Sequence, residues 1–119
     1  GTQPPTGGSK GPETQIAKLG RKIEIDFRKT PLQDAFKYIA DETGATIEID
    51  GDGLKLSGYT KNMEQNMNLG SVSGMKAIAE IIKKYKDMCI LIEEDKKLVT
   101  VTTKAVAAKL GKTPHDPDK

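Results

Sequence analysis

The sequence predicts an α+β fold, a compact βαβ-βαββ module in which two helices pack against small mixed sheets. Three observations carry that prediction. Apolar residues alternate with polar ones at Ile23, Ile25 and Phe27, and again at Met67 and Leu69, as on strands with one face on a core. Between such stretches they recur at helical spacing, at Leu32, Ala35, Phe36 and Ile39 and at Met75, Ile78 and Ile82. The two stretches are also one pattern written twice: moved along by 43 positions, Leu32, Ala35, Ile39, Ile47 and Ile49 fall on Met75, Ile78, Ile82, Ile90 and Ile92.

Taken in order, residues 1–14 are rich in Pro, Gly, Ser and Thr, cannot bury enough surface to offset chain entropy, and read as a flexible linker. Residues 15–22 form a lead-in, with a short helix carrying Ile16 and Leu19 on one side and ending at Gly20. The domain itself spans 23–103. After the first strand, Thr30-Pro31-Leu32-Gln33 offers an N-cap hydroxyl, a proline where no N–H is needed and a glutamine placed for a capping box. That helix buries Leu32, Ala35, Phe36, Ile39, Ala40 and Thr43 and stops at Gly44. Thr46 to Asp50 is a strand, which Asp50-Gly51-Asp52-Gly53 breaks. The connector Leu54 to Glu64 suggests a single turn laid over the core by Leu54, Leu56 and Tyr59. Gln65 to Val72 follows as a strand, Ser73 caps a second helix, and that helix ends near Asp87. Met88 to Glu93 and Lys97 to Thr103 make a β-hairpin around Glu94-Asp95-Lys96, and residues 104–119 add one helical turn and a polar tail.

Charge bounds the function. The chain carries 19 Lys and Arg against 17 Asp and Glu. Residues 23–103 hold 11 of the former and 14 of the latter, a net of −3, so the flanks hold 8 against 3, or +5. The basic residues belong to the tails, and an acidic body argues against a fold built to bind phosphate. No apolar run approaches the roughly 20 residues of a membrane span, and no signal-type segment stands at Gly1. The sequence lacks an initiator Met and reads as a piece of a longer parent, whose signal or anchor would lie outside this piece.

Catalytic chemistry lacks an inventory, and neither a cofactor nor a metal is expected. The single histidine, His115, sits in Thr113-Pro114-His115-Asp116-Pro117, a tail with no packing signal, and reads as a surface residue rather than a base or ligand. Cys89 has no histidine partner in the folded region and lies in an apolar strand, where a packed structural thiol is expected. Asp50-Gly51-Asp52-Gly53 is superficially like a calcium loop, yet Leu54 holds the fifth position and no glutamate the twelfth, so it reads as a turn. Lys83, Lys84 and Lys86 form a basic end to the second helix, which suggests as an alternative a small RNA-binding KH-like module. The G-x-x-G loop such a module needs between two helices is missing, and lysines late in a helix also complement its dipole.

In this order and spacing the residues resemble the secretin and TonB short N-terminal domain, the STN family, and the related N-terminal ring domains of secretins. Ile25-Asp26-Phe27-Arg28-Lys29-Thr30-Pro31-Leu32-Gln33-Asp34-Ala35-Phe36 is similar to that family's strand, turn and helix start, and Thr43-Gly44-Ala45-Thr46-Ile47 to its helix exit. Met67 to Ile78 resembles its second strand and helix, and Lys97 to Thr103 its closing strand. Two features depart from the pattern: the long insertion Gly51 to Glu64, and Gly74, a poor helix former at a helix start. The resemblance implies a non-enzymatic adaptor in the bacterial periplasm or cell envelope, whose partner is an envelope protein or a neighbouring domain or copy of its parent.

Recognition is then expected through surface and strand edge. Five short strands cannot close a barrel, so an edge stays open to a partner strand. The C-terminal hairpin is the candidate, through Lys97, Thr100 and Thr102, the two threonines pointing away from Val99 and Val101. An ordinary solvated threonine face is the plainer reading of the same residues.

Overall fold

The alternation of Ile23, Ile25 and Phe27 becomes β1 (Lys22–Pro31), with those three residues buried and Lys22, Glu24 and Asp26 exposed between them. A computed structural model of the chain describes residues 14–117, so the linker expected over 1–14 lies, Thr14 excepted, outside the described residues. Thr14 belongs to the fold: its hydroxyl accepts a hydrogen bond from the Ala17 N–H and caps α1 (Gln15–Leu19). Leu19 is buried as expected, but the residue buried with it is Gln15, while Ile16 is 47% exposed. Gln15 earns that place with its side-chain oxygen, which accepts from the Thr46 N–H at 2.8 Å.

The first long helix, α2 (Leu32–Thr43), buries Leu32, Ala35, Phe36, Ile39 and Thr43 and ends at Gly44, whose φ of 84° is open to glycine at little cost. Its start departs from the expected capping box. β1 runs on through Thr30 and Pro31, and no side chain caps the helix. The N–H groups of Leu32 and Gln33 donate to the carbonyls of Met63 and Lys61 at 2.8 and 2.9 Å, so the returning connector satisfies them. After β2 (Ile47–Ile49), the helical turn expected within Leu54 to Glu64 starts earlier, as α3 (Gly51–Leu56), and takes in the glycines read as a turn; Asp50 caps it through the Gly53 N–H at 3.0 Å. Leu54 is buried beneath it, whereas Leu56 is 71% exposed and takes no part in the core. Tyr59 meets Tyr85 edge to face at 5.3 Å.

β3 (Glu64–Ser73) leads into α4 (Gly74–Ile82), with Ser73 accepting from the Lys76 N–H as the sequence suggests. α4 ends a turn earlier than expected. Lys83 is its C-cap, and Lys84, Tyr85 and Lys86 lie in the turn that follows, so the three lysines do not extend a helix face. That turn aims the Tyr85 hydroxyl at buried Gln65, whose Nε2 donates to it at 2.7 Å. β4 (Met88–Glu93) and β5 (Leu98–Thr103) form the expected hairpin, and α5 (Lys104–Leu110) is seven residues long, where a single turn was expected. Thr103 caps it, and Gly111, at φ 69°, reverses the chain after it.

Gly74, the apparent weakness of the second helix, is a point where α4 meets α1 and α2. It is buried, its N–H donates to Arg21 O at 3.0 Å, and a Cβ there would lie 2.7 Å from Thr43 Cγ2 and 3.3 Å from Leu19 O. A side chain would wedge α4 away from α1 and α2.

Strand pairing overturns one expectation. β1 pairs antiparallel with β3 in a two-stranded sheet, and the second sheet has the order β2-β5-β4. β5 is its middle strand, parallel to β2 and antiparallel to β4, so the chain's last strand is not an edge. The doubled pattern explains this arrangement. The first strands of the two halves pair with each other, and the second strands flank β5 in opposite senses. Ile47 and Ile92 both oppose Val99, and Ile49 and Ile90 both oppose Val101, so positions related by the sequence repeat sit diagonally across one shared strand. One buried cluster joins both halves, and the outer face of the hairpin adds Cys89, Leu91 and Ala107 under α5.

The hairpin loop also holds the N-terminal helix. Glu94 Oε1 accepts from the Gln15 N–H at 2.7 Å and Oε2 from the Ile16 N–H at 3.1 Å, a carboxylate set on the first turn of α1. Glu94→Ala is expected to cost about 1 kcal/mol, the usual value of an N-terminal cap. The check is a lower urea midpoint at unchanged slope, together with faster amide exchange at Gln15 and Ile16 than in the parent chain.

Candidate interaction site

The three residues singled out from the sequence are not brought together on an edge. Lys97 is exposed in the hairpin loop with φ 54°. Thr100 is half-buried between Glu48 of β2 and Leu91 of β4. Thr102 is fully buried, and its hydroxyl donates to Asp50 Oδ2 at 2.9 Å. The threonine face is thus a covered one: α3 and α5 both touch β5, and the polar groups that suggested solvent or a partner are used inside the fold. Alternation along β5 was legible, but not what lies against each face.

The outer long side of the sheet belongs to β4. After Gly111 turns the chain, Lys112 returns its N–H to Ala107 O at 2.9 Å and sets its ammonium 3.0 Å from Glu93 Oε2. The His115 N–H then donates to Ile90 O at 2.9 Å in an antiparallel bridge. The tail therefore runs back along β4, and His115, read from the sequence as a surface residue of an unpacked tail, is half-buried against that strand. The available signal was Gly111 itself, a left-handed stop that folds the chain back on the element before it. Glu93 lies below the ordinary carboxylate range, chiefly because Lys112 donates to it, with Lys96 adding to the effect against the opposing cost of burial.

No family model, no curated protein and no solved structure matches the chain.

Between the end of α4, the start of β4 and the returning tail lies a cavity of about 460 Å³. Ala79, Ile82 and Met88 line it with apolar side chains, Lys83, Lys86 and Lys104 with basic ones, and His115 and Asp116 line it from the tail side. Lys83 also pairs with Glu80 at 2.7 Å, and hydrogen bonds from Lys83 and then Lys76 draw the Glu80 carboxyl below its ordinary range. Cys89 borders the cavity while itself buried. Burial pushes its thiol up, Lys104 pulls it a smaller amount the other way and Asp87 adds to the rise, so the protonated form is favoured. Among the described residues no group of three or more His, Cys, Asp and Glu is gathered where it would hold a metal ion. What this arrangement offers chemically is backbone hydrogen bonding along one strand beside a basic, partly apolar hollow.

Proposed function

We propose that this domain is a non-enzymatic adaptor that holds a protein partner in the bacterial cell envelope, as its resemblance to the STN family implies. The observation that carries the reading is the outer side of β4, where an extended segment is already held by a backbone hydrogen bond between Ile90 and His115. A sheet that accepts one extended segment this way has the geometry for strand addition, which takes its affinity from main-chain groups and its selectivity from neighbouring side chains. The acidic balance of residues 23–103 argues against a nucleic-acid partner.

The test places a photo-crosslinking residue at Lys86, beside this strand, and in a second strain at Asp34 in α2, within the full-length parent in its own cells. The expected result is an adduct with an envelope protein from Lys86 and none from Asp34, in the envelope fraction. Salt-sensitive binding of the purified chain to RNA oligonucleotides, with no protein adduct from cells, overturns the reading in favour of the KH-like one.

A further inference from the structure

We infer that the C-terminal segment 112–117 is a built-in stand-in for the partner, and that the partner presents an extended, proline-free segment carrying carboxylates, which displaces the tail from β4. This rests on the adaptor reading above and adds what it leaves open: the partner's chemistry and the place it docks.

The backbone of β4 shows why a better strand than the tail exists. On β5, Val99 N–H donates to Thr46 O and Val101 O accepts from Asp50 N–H, so the odd-numbered residues there turn their backbone groups toward β2. Thr100 and Thr102 consequently turn theirs toward β4, where they oppose Leu91 and Cys89. By the same alternation Ile90 and Ile92 direct their backbone groups away from β5, to the outer side. The tail meets this side at one point, through His115 N–H and Ile90 O. The tail residues in ladder register on either side of His115 are Thr113, opposite Ile92, and Pro117, opposite Met88, and of these Pro117 has no N–H to donate. The tail lies on the edge through this bridge, with Lys112 anchored to Glu93 and to Ala107 O, and it covers the edge without forming a continuous ladder with β4. A segment free of proline at that register makes the bond that Pro117 cannot.

Charge selects among such segments. The tail carries Asp116 to the cavity that Lys83, Lys86 and Lys104 share. Asp116 and the lysines thus line one cavity with apolar residues between them, and Asp116 marks the side from which a partner's carboxylate would approach. A segment alternating apolar and acidic residues would send its apolar side chains one way and its carboxylates toward the lysines, as the strand period of two dictates.

The probe is a short fluorescent peptide alternating valine with aspartate, and its control alternates valine with lysine, each titrated against the full chain by anisotropy. The aspartate peptide is expected to bind and the lysine peptide not. His115→Pro, which removes the one N–H that holds the tail to Ile90, is expected to tighten aspartate-peptide binding about three- to tenfold, the value of one net hydrogen bond released from competition. The double variant Lys86→Glu, Lys104→Glu, both exposed positions, is expected to weaken it at least tenfold. Amide shifts on binding should fall on residues 86–92 and 112–117, a readout that also reports whether each variant is folded. Equal binding of the two peptides, an unchanged affinity in His115→Pro, or shifts elsewhere overturns the inference. If Lys86 crosslinks to an envelope protein while these peptide results fail, the adaptor reading stands and the stand-in role falls; if no envelope adduct forms, the adaptor reading itself falls.

Discussion

Gly74→Ala is expected to destabilise the domain by about 1–3 kcal/mol, although alanine is the better helix former. The new Cβ would stand 2.7 Å from Thr43 Cγ2 and 3.4 Å from Ile39 Cγ2, with Leu19 O at 3.3 Å. None of these neighbours yields cheaply. Thr43 is fully buried, and its hydroxyl is engaged on both sides, donating to Ile39 O at 2.7 Å and accepting from the Ala45 N–H at 3.3 Å, so its methyl cannot rotate away without breaking that pair. Leu19 O is backbone. The helix-propensity gain at the first position of α4 is smaller than in a helix interior and does not offset the overlap. Urea denaturation measures the loss, and the cause is separable: Thr43→Ser removes the methyl but keeps the hydroxyl, so the pair Gly74→Ala, Thr43→Ser should recover stability relative to the sum of the single changes. Strict additivity would show that the overlap is not the cause.

Asp50→Ala is expected to cost about 2–3 kcal/mol, because one carboxylate serves two elements. Oδ1 accepts from the Gly53 N–H and caps α3, which contributes about 1 kcal/mol. Oδ2 accepts from Thr102, whose hydroxyl is fully buried, and leaving that hydroxyl without a partner adds about 1–2 kcal/mol. Asp50→Asn should retain most of the stability, since the amide oxygen still caps and the amide nitrogen donates to a hydroxyl turned to accept. Gly53→Ala should reproduce the damage from the other side, as a Cβ at that position would fall on the Asp50 carboxylate and 2.9 Å from Thr102 Oγ1. A midpoint for Gly53→Ala equal to that of the unaltered chain would refute this account.

The elements were legible in the sequence because each is a local pattern. The buried face of α2, the Gly44 stop, the Ser73 cap and the β4–β5 hairpin all follow from periodicity and end chemistry within a dozen residues. What failed was non-local. The position of β5 between β2 and β4 depends on a parallel pairing between Ile47–Ile49 and residues far along the chain, and no local signal states which strand lies beside which. Glu94 reads as one charge in a turn until α1 is set against it. His115 lies among prolines and charged residues, a composition that signals an unpacked tail, and its docking rests on a main-chain bond that any residue other than proline supplies. For the same reason the threonines of β5 read as an open face although that strand is covered: threonines at alternate positions mark a polar face, and polarity alone does not say whether water or Asp50 meets it.

The strand synthesised last among the five is the one the three-stranded sheet is built around, and this governs how the domain comes into being. Until Leu98–Thr103 arrive, β2 has no ladder partner among the described residues, and β4 has none apart from the later tail. A ribosome-bound chain that ends before them carries two unpaired strands of Ile-rich sequence, the state most open to misassociation. Folding of this sheet therefore waits on the far end of the chain, with the slow closure that distant pairings impose. Neither half of the doubled pattern is a domain in miniature, and a cut between α3 and β3 is expected to yield fragments that complement one another in trans rather than fold apart.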